Sequence, residues 1–409
     1  MSTLQDSLAR YAARLHAAAG PGHHVASPLG AWLLLALCAP AATGAERDAL
    51  ADVLGTAPAD AAAQAAALLA EPHPLVPAAT AVWQRAGQGP TDWQAALPPQ
   101  TATGPLPDQA ALDEWAREHT LGLIDRFPLR LTPQVVLALA SAVATRISWA
   151  TPFDVTPAAD LGPESRWAGT LTRVLRSPAR GHRGWIAADG AAGDVIVHLA
   201  PARAESGAGL AVVSVAAAPD VDRAAVLAAA HRLATGAVDG TDVDRRSLFD
   251  LPLGGTALWE LREERLRTRA TGGREERHTA VLPCWSARSE HGLTGPGLGF
   301  DAAGRALAGR LGVAGAEVEA RQSALARFGR YGFSAAAVTA ALELVSFAPP
   351  GVARTAELRF GHPYAVVAVA TDQRRDGAGA WHGVPVFSAW VAEPQEPSAD
   401  DLADPPEAD

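Results

Sequence analysis

The side chains that most often carry enzymatic chemistry are present in this sequence, but not in a familiar arrangement. No G-x-S-x-G motif occurs, and GPGLGF at 295–300 lacks the final glycine and the preceding strand of a dinucleotide-binding loop. His23 and His24 are adjacent and point in different directions, so we interpret them as part of a solvated loop. No H-E-x-x-H or C-x-x-C pattern exists. The motifs therefore predict neither a metal site nor a cofactor.

Carboxylates and cysteines give no better indication of catalysis. The acidic pairs at 113–114 and 263–264 lie in arginine-rich stretches that are typical of solvated faces. Cys38 and Cys284 are too few for a disulfide framework or a zinc site. The chain has no lysine and no asparagine, which excludes a Schiff-base lysine and an N-glycosylation site. An enzyme remains open only because active sites can assemble from scattered residues.

Charge and hydropathy exclude several classes of partner. The formal net charge is −10 and basic residues do not cluster, so we expect neither nucleic acid nor an anionic membrane as partner. The longest apolar run, Ala31–Cys38, is far shorter than the roughly 20 residues of a membrane span. Residues 1–16 lack the apolar centre of a secretion signal. We therefore expect a cytoplasmic protein.

The first third of the chain reads as helical. Helices are predicted at 4–18, 27–40, 45–54, 58–70 and 108–125. Ser27 followed by Pro28 is a start signal, because serine caps a helix and proline fits its first turn. The run Pro133–Trp149 is rich in Val and apolar at both odd and even positions, which predicts a central strand covered on both faces.

Strands dominate the rest of the chain. Strand-like runs fill 153–285 around one helix at 221–235, a short helix follows at 301–311, and further strands are predicted at 319–329, 355–360, 363–371 and 383–391. Helices first and strands later indicate a single α+β domain over residues 1–394. The segment 395–409 is acidic and rich in proline, so we predict a disordered tail.

Between two of the predicted strands lies a stretch of small residues, GFSAAAVTAALELVSF at 332–347. Taken alone it resembles a weak helix. Together with its surroundings it forms part of a larger pattern.

Three stretches of the chain follow one another in a distinctive order: HHVASPLGAWLLLALCAPAATGAERDALADVLG, then LDEWAREHTLGLI with VVLALASAVATRISWATPFD, and finally RQSALARFGRYGFSAAAVTA with FGHPYAVVAV and FSAWVAEP. In this order they resemble the serpin family. The resemblance covers residues 1 to about 394 and, with the GC-rich coding bias that the composition suggests, points to a divergent bacterial-type member.

The resemblance implies an α+β serpin-like fold with three β-sheets, about nine helices and an exposed reactive loop at about 332–354. It implies a monomer without a cofactor or metal, whose partner is a target protease of the serine class, with the cysteine class as the alternative. In inhibitory members the protease cleaves the loop and becomes acylated. The loop then inserts into the central sheet as a new strand, from a native state that a kinetic barrier keeps short of its most stable arrangement.

The same resemblance assigns residues to this machinery. The reactive bond falls between Ser346 and Phe347, with Arg354 and Thr355 as the second choice. The hinge comprises Arg330, Gly332, Phe333, Ser334, Ala335, Ala336, Ala337, Val338 and Thr339. The cluster where the sheet opens comprises Ser27, Gly30, Ser141, Gln322 and Trp149. Small side chains suit a segment that must enter a packed sheet, and Gln322 and Ser141 could exchange hydrogen bonds.

Several positions depart from the pattern of inhibitory serpins. Phe333 stands where a small residue is usual and would face into the sheet at the first step of insertion, and overpacking a core typically costs about 1–3 kcal/mol. Arg330 and Ser334 replace acidic residues. Three hypotheses follow: a protease inhibitor, a serpin-fold binding or structural protein that has lost inhibition, and, well below both, an enzyme without a recognisable motif.

Overall fold

The computed structural model describes residues 3–85, 92–132, 135–202, 207–312, 319–332, 349–374 and 377–403. Within these ranges it has nine α-helices and eighteen β-strands in an α+β arrangement, as predicted. The helices are α1 (Leu4–Ala19), α2 (Pro28–Cys38), α3 (Gly44–Leu54), α4 (Pro58–Ala70), α5 (Asp92–Ala95), α6 (Gln109–His119), α7 (Arg223–Val238), α8 (Phe300–Leu311) and α9 (Ala399–Leu402). The strands are β1 (His24–Ala26), β2 (Ala78–Gln84), β3 (Thr101–Pro105), β4 (Leu137–Val143), β5 (Asp154–Pro157), β6 (Arg173–Arg176), β7 (Arg183–Asp189), β8 (Gly193–Pro201), β9 (Ala208–Ala216), β10 (Gly254–Gly255), β11 (Trp259–Arg267), β12 (Arg274–Leu282), β13 (Trp285–Gly292), β14 (Arg321–Phe328), β15 (Pro350–Arg359), β16 (Tyr364–Arg374), β17 (Gly377–Ala378) and β18 (Pro385–Val391).

Helix α2 lies at the centre of the molecule. All eleven of its residues are buried, and it packs against β4 on one side and β18 on the other. Its sequence, PLGAWLLLALC, is apolar on every face, as a helix without a solvated side must be. The Ser27 hydroxyl accepts a hydrogen bond from the Gly30 amide, so the predicted cap and helix start are present.

The largest sheet has seven strands, in the order β1-β18-β16-β9-β8-β7 with β17 paired to β16. Helix α7 covers one face of this sheet, where Val226, Leu227 and Leu233 pack against strand residues such as Val213 and Val367. The opposite face joins the main core together with α2. Since both faces are covered, β9 is buried along its whole length.

A second sheet has six strands in the order β10-β11-β15-β12-β6-β5. Strand β15 is central in it, antiparallel to β11 and parallel to β12. Two further sheets are smaller, β3-β2-β4 and β13-β14. Residues 144–153 connect β4 to β5, and residues 283–284 connect β12 to β13, so the chain links each small sheet directly to the six-stranded sheet.

Two sequence predictions are wrong in detail. The run 133–149 is not a central strand: within the described residues β4 pairs only with β2, and its burial alternates residue by residue. The predicted disordered tail is ordered as far as residue 403, because Gln395 pairs with Cys284 and α9 buries Asp401. Residues 404–409 lie outside the described part of the chain.

In the part of the chain that the structure describes, no single helix has the length and apolar character needed to cross a membrane. Among the described helices, the bent pair α3 and α4 meets that test when the two are taken together, by length and composition.

Candidate functional site

A slot separates β4 from β14. Among the described residues no ladder joins these two strands, although residues on both sides line the same cavities. Three cavities lie along the gap. They have volumes of about 170, 50 and 80 Å³, in order from the Leu137 end, which we call the lower end, to the Trp149 end, which we call the upper end. We use the term slot for the gap between residues 137–149 on one side and 319–328 on the other. Strands with an unpaired edge are templates for an additional strand.

The chain turns back at the upper end of the slot. After β14 it reverses at Gly329, and Gly332 then forms an antiparallel bridge with Ser148. The Trp149 amide donates to the Tyr331 carbonyl at 3.2 Å, and the Phe153 amide donates to the Arg330 carbonyl at 3.0 Å. Residues 330–332 therefore run antiparallel to the chain that continues β4, and they lead towards the slot.

Gly332 occupies a position that only glycine fits. Its φ is 81°, in the left-handed region, and a Cβ atom built on it would lie 2.4 Å from the carbonyl oxygen of Ile147. The close approach of the two backbones at this point depends on the missing side chain.

Trp149 supports the turn from below. Its side chain is buried, its Nε1 donates to the Gly329 carbonyl at 2.8 Å, and its ring lies against Phe328 and Phe153 at centroid distances of 5.0 and 5.9 Å. It is thus both a core aromatic and a direct contact of the turn.

Two histidines pack behind these rings, of which His182 is half-buried and His198 is buried. His182 Nε2 donates to the Thr151 carbonyl at 2.8 Å, which leaves its Nδ1 as acceptor for the Nε2–H of His198 at 3.1 Å. Burial lowers the pKa of His182 to about 4, and the hydrogen bond to the Thr151 carbonyl, which by itself would raise the pKa, offsets only part of this effect. Burial, and then the neighbouring His182, lower the pKa of His198 well below its ordinary value. Both rings contact Phe153, so the upper end of the slot rests on a neutral imidazole pair.

The middle of the slot contains the polar cluster assigned from the sequence. Gln322 spans the gap to the start of α2: its Oε1 accepts from the Ser27 amide at 2.9 Å and its Nε2 donates to the Ser27 carbonyl at 2.8 Å. The Ser141 hydroxyl donates to the Gly30 carbonyl at 2.8 Å. The structure thus brings four of the five assigned residues together, while Trp149 lies at the upper end of the slot. Gln322 and Ser141 do not exchange a hydrogen bond with each other, because each bonds to the start of α2 instead.

Gly30 has little room for a larger residue. A Cβ atom at this position would lie 3.2 Å from the Ser141 hydroxyl and 3.3 Å from the Ser27 hydroxyl. The two hydroxyls can approach the α2 backbone this closely because residue 30 has no side chain.

Most of the predicted hinge and the preferred reactive bond lie outside the described residues. These are Phe333, Ser334, Ala335, Ala336, Ala337, Val338, Thr339, Ser346 and Phe347. Arg330 and Gly332 are described, at the turn above the slot.

The second choice for the reactive bond, between Arg354 and Thr355, is wrong. Both residues lie inside β15, hydrogen-bonded to β11 on one side and to β12 on the other. The Arg354 guanidinium pairs with Glu263 at 2.8 Å and donates to the carbonyls of Leu248 and Leu251. A protease needs an extended, unpaired peptide, and a central strand does not offer one. The proposed loop therefore ends before Pro350, not at residue 354.

Sequence reasoning missed Asp401, His182 and His198. The sequence SADD at 398–401 matches a capping box, serine followed three residues later by an acidic residue, and α9 uses it in that way. The acidic composition of the segment concealed this signal. No motif marks the histidine pair, since the two positions meet only through the pairing of β7 with β8. Among the described residues, no group of three or more His, Cys, Asp or Glu side chains is arranged to hold a metal ion.

No protein-family model matches this chain. No curated protein matches it either. Solved structures do match over nearly the whole chain. They include a thermophilic serpin, tengpin, in the native state (13% identity, TM-score 0.61, 95% of this chain and 93% of that chain), human glycosylated kallistatin (13%, 0.60, 97% and 100%) and human thyroxine-binding globulin complexed with thyroxine (12%, 0.58, 96% and 99%).

The chain therefore has the serpin fold. At this level of identity the likeness extends to the architecture only.

Proposed function

We propose that the chain is a serpin-type inhibitor of serine-type endopeptidases, which is cleaved in the segment 333–348 and then inserts that segment into the slot. One observation carries the proposal: the chain turns at Gly329 and enters the slot antiparallel to β4 at Gly332. A strand continuing in this direction would meet the free edges of β4 and β14. The small residues of 335–340 suit such a position.

The anchoring of the following strand explains why cleavage is needed. Strand β15 is held from Pro350 to Arg359 by two neighbours, so the far end of the segment is fixed in the six-stranded sheet. An uncut segment would have to run down the slot beside β4 from Ser148 to Leu137 and then return to Pro350. At one residue per register position this path needs roughly 24 residues, which is more than the segment 333–348 contains. The whole slot is therefore accessible only after the chain has been cut.

The test uses proteases of different specificity. The protein is incubated with elastase-, subtilisin- and trypsin-like enzymes, with a cysteine protease as comparison, and covalent complexes are sought on denaturing gels. We expect a complex with an enzyme that accepts Ser346 before the bond, and a cleaved form with a higher melting temperature. Cleavage without a complex and without stabilisation would refute the insertion mechanism.

Phe333 makes the test sharper. If its ring obstructs the first step of insertion, Phe333→Thr raises the fraction of protease trapped as complex. Phe249→Thr is the matched control, since it makes the same substitution at a half-buried phenylalanine that lies outside both the slot and the loop. An equal response of the two variants would remove the argument that Phe333 limits inhibition.

A second candidate, a carrier of a small ligand without inhibition, is favoured by a cavity of about 360 Å³ between α1 and α7. His231 lines it, and both of its buried ring nitrogens lack a hydrogen-bond partner among the described residues. Thyroxine-binding globulin, which shares the fold, was solved with thyroxine. Fluorescence titration with thyroxine, compared between the natural protein and Ala13→Trp, tests this candidate. An equal response of the two proteins excludes the cavity.

A further inference from the structure

The C-terminal segment, residues 395–403, is tied to the body of the molecule at several points before it reaches the turn. The Gln395 amide donates to the Cys284 carbonyl at 2.7 Å, next to the start of β13. Glu396 accepts hydrogen bonds from the backbone amides of Thr172 and Arg173. Ser398 then caps α9. These contacts bring α9 to the upper end of the slot.

Asp401 uses its buried carboxylate to hold the turn between β14 and Gly332. The residue is 4% exposed. Its Oδ1 accepts from the backbone amide of Arg330 at 2.8 Å, and its Oδ2 accepts from the Arg327 guanidinium at 3.1 Å. The Ser398 amide and hydroxyl complete the set, at 3.0 and 2.6 Å.

The charge of this carboxylate is maintained by its partners. Burial by itself would raise the pKa of Asp401, but the hydrogen bonds from Ser398, the Arg330 amide and Arg327 outweigh burial and lower it. Charge-assisted hydrogen bonds of this kind are among the stronger contacts in proteins.

The turn is shaped to receive Asp401. A Cβ atom on Gly329 would lie 2.5 Å from Oδ1 of Asp401, so the carboxylate rests directly on the glycine backbone. The Tyr331 hydroxyl donates to the Ala403 carbonyl at 2.8 Å, and the Arg330 guanidinium reaches the Asp401 carbonyl at 3.3 Å. The Gly329 carbonyl meanwhile accepts from Trp149. The turn is thus held by Trp149 on the slot side and by Asp401 on the outer side.

We propose that Asp401 is a positioning residue for loop insertion: it fixes the turn at 329–332 in the shape that directs the cut segment into the slot. The inference rests on the proposed function and identifies a part of the machinery that lies far from the loop in sequence. The protease is trapped only if the cut segment inserts faster than the acyl-enzyme is hydrolysed. A turn that loses its outer support should delay insertion and release more protease as a simple cleavage product.

The experiment compares Asp401→Ala with Glu396→Ala. Both variants remove a carboxylate of the C-terminal segment that accepts backbone amides, but only Asp401 contacts the turn. With a protease that the natural protein traps, Asp401→Ala should raise the ratio of cleaved to complexed inhibitor about tenfold. This corresponds to a change of about 1.4 kcal/mol in the free-energy difference between the barriers to insertion and to hydrolysis. Glu396→Ala should leave that ratio within about twofold of the natural protein. Amide exchange of residues 326–332 in the uncut protein should accelerate in Asp401→Ala alone.

The outcomes separate the two proposals. If the natural protein traps no protease, the proposed function fails. If it does, and Asp401→Ala partitions like Glu396→Ala, the role of Asp401 is refuted while the proposed function stands. If Asp401→Ala fails to fold, Asp401→Asn keeps the shape but places an amide opposite the donors of Ser398 and Arg327, and the same two outcomes apply to it.

Discussion

The histidine pair behind the slot predicts a specific sensitivity to acid. His182 has a pKa of about 4 in the folded protein, below the ordinary 6.5 that we assign to the unfolded chain. The folded state therefore binds fewer protons than the unfolded state at intermediate pH. The stability that depends on neutral His182 is complete above pH 6.5 and is lost as the pH falls towards 4.

The magnitude follows from the same two values. The gap between about 4 and 6.5 corresponds to about 3 kcal/mol lost on full protonation. Geometry gives the reason, because a proton on Nδ1 of His182 would face the Nε2–H of His198 across 3.1 Å. For a chain of this length a loss of about 3 kcal/mol lowers the melting temperature by about 4 °C.

The variant His182→Gln isolates this contribution. Glutamine retains one donor for the Thr151 carbonyl and one acceptor for His198, but it does not titrate in this range. Melting temperatures at one scan rate, from pH 7.5 to 4.5, should fall less steeply for the variant. The pH dependence of the melting temperature that remains in the variant comes from other histidines, such as the buried His231. Burial lowers the pKa of His231 to about 4 as well.

His231→Leu is the matched control, because it removes a titrating group between α1 and α7, away from the slot. It too should flatten the acid slope, but only His182→Gln should slow the acid-induced exchange of amides 147–153. Parallel melting curves for the natural protein and His182→Gln across this range would refute the reasoning.

Three further predictions concern single positions around the slot. Gly332→Ala should lower the melting temperature more than Gly240→Ala, because both glycines have φ of 81° but only Gly332 lies against a neighbouring backbone. The left-handed conformation costs alanine about 1–2 kcal/mol at either position, so equal effects of the two substitutions would contradict the contact of Gly332 with Ile147. Gln322→Met, which removes both hydrogen bonds to Ser27, should raise the unfolding rate in denaturant, and its loss of about 1–3 kcal/mol should exceed that of Ser141→Ala, which removes one. Trypsin should not cut the folded protein between Arg354 and Thr355, and a fragment that begins at Thr355 in mass spectra would contradict the pairing of β15.

Local signals in the sequence predicted the local structure well. Ser27 and Pro28 marked the start of α2, and the predicted helix at 58–70 has the observed bounds of α4. Each of these elements is determined by capping and punctuation within a few residues. The serpin fold itself was expected from three separated stretches and agrees with the solved structures.

The errors at the slot and at its upper end concern contacts between distant segments. The apolar run that became β4 carries no sign that its second edge faces a slot, because edge and central strands can share a composition. Arg354 looked accessible because its partner Glu263 lies 91 residues away in sequence. Asp401 looked solvated for the same reason, since the amide it accepts from belongs to Arg330, 71 residues earlier.

The position of β18 has a consequence for the time course of folding. This strand lies inside the seven-stranded sheet between β1 and β16, and the Ser27 hydroxyl donates to the Val386 carbonyl across a separation of 359 residues. The central helix α2 therefore cannot be buried on its β18 side until almost the entire chain has been synthesised. Contacts of such long range slow folding, and intermediates with unpaired strand edges are prone to aggregate. We therefore expect a long-lived folding intermediate that exposes α2. The yield of folded protein should then depend strongly on temperature and on chaperones during synthesis.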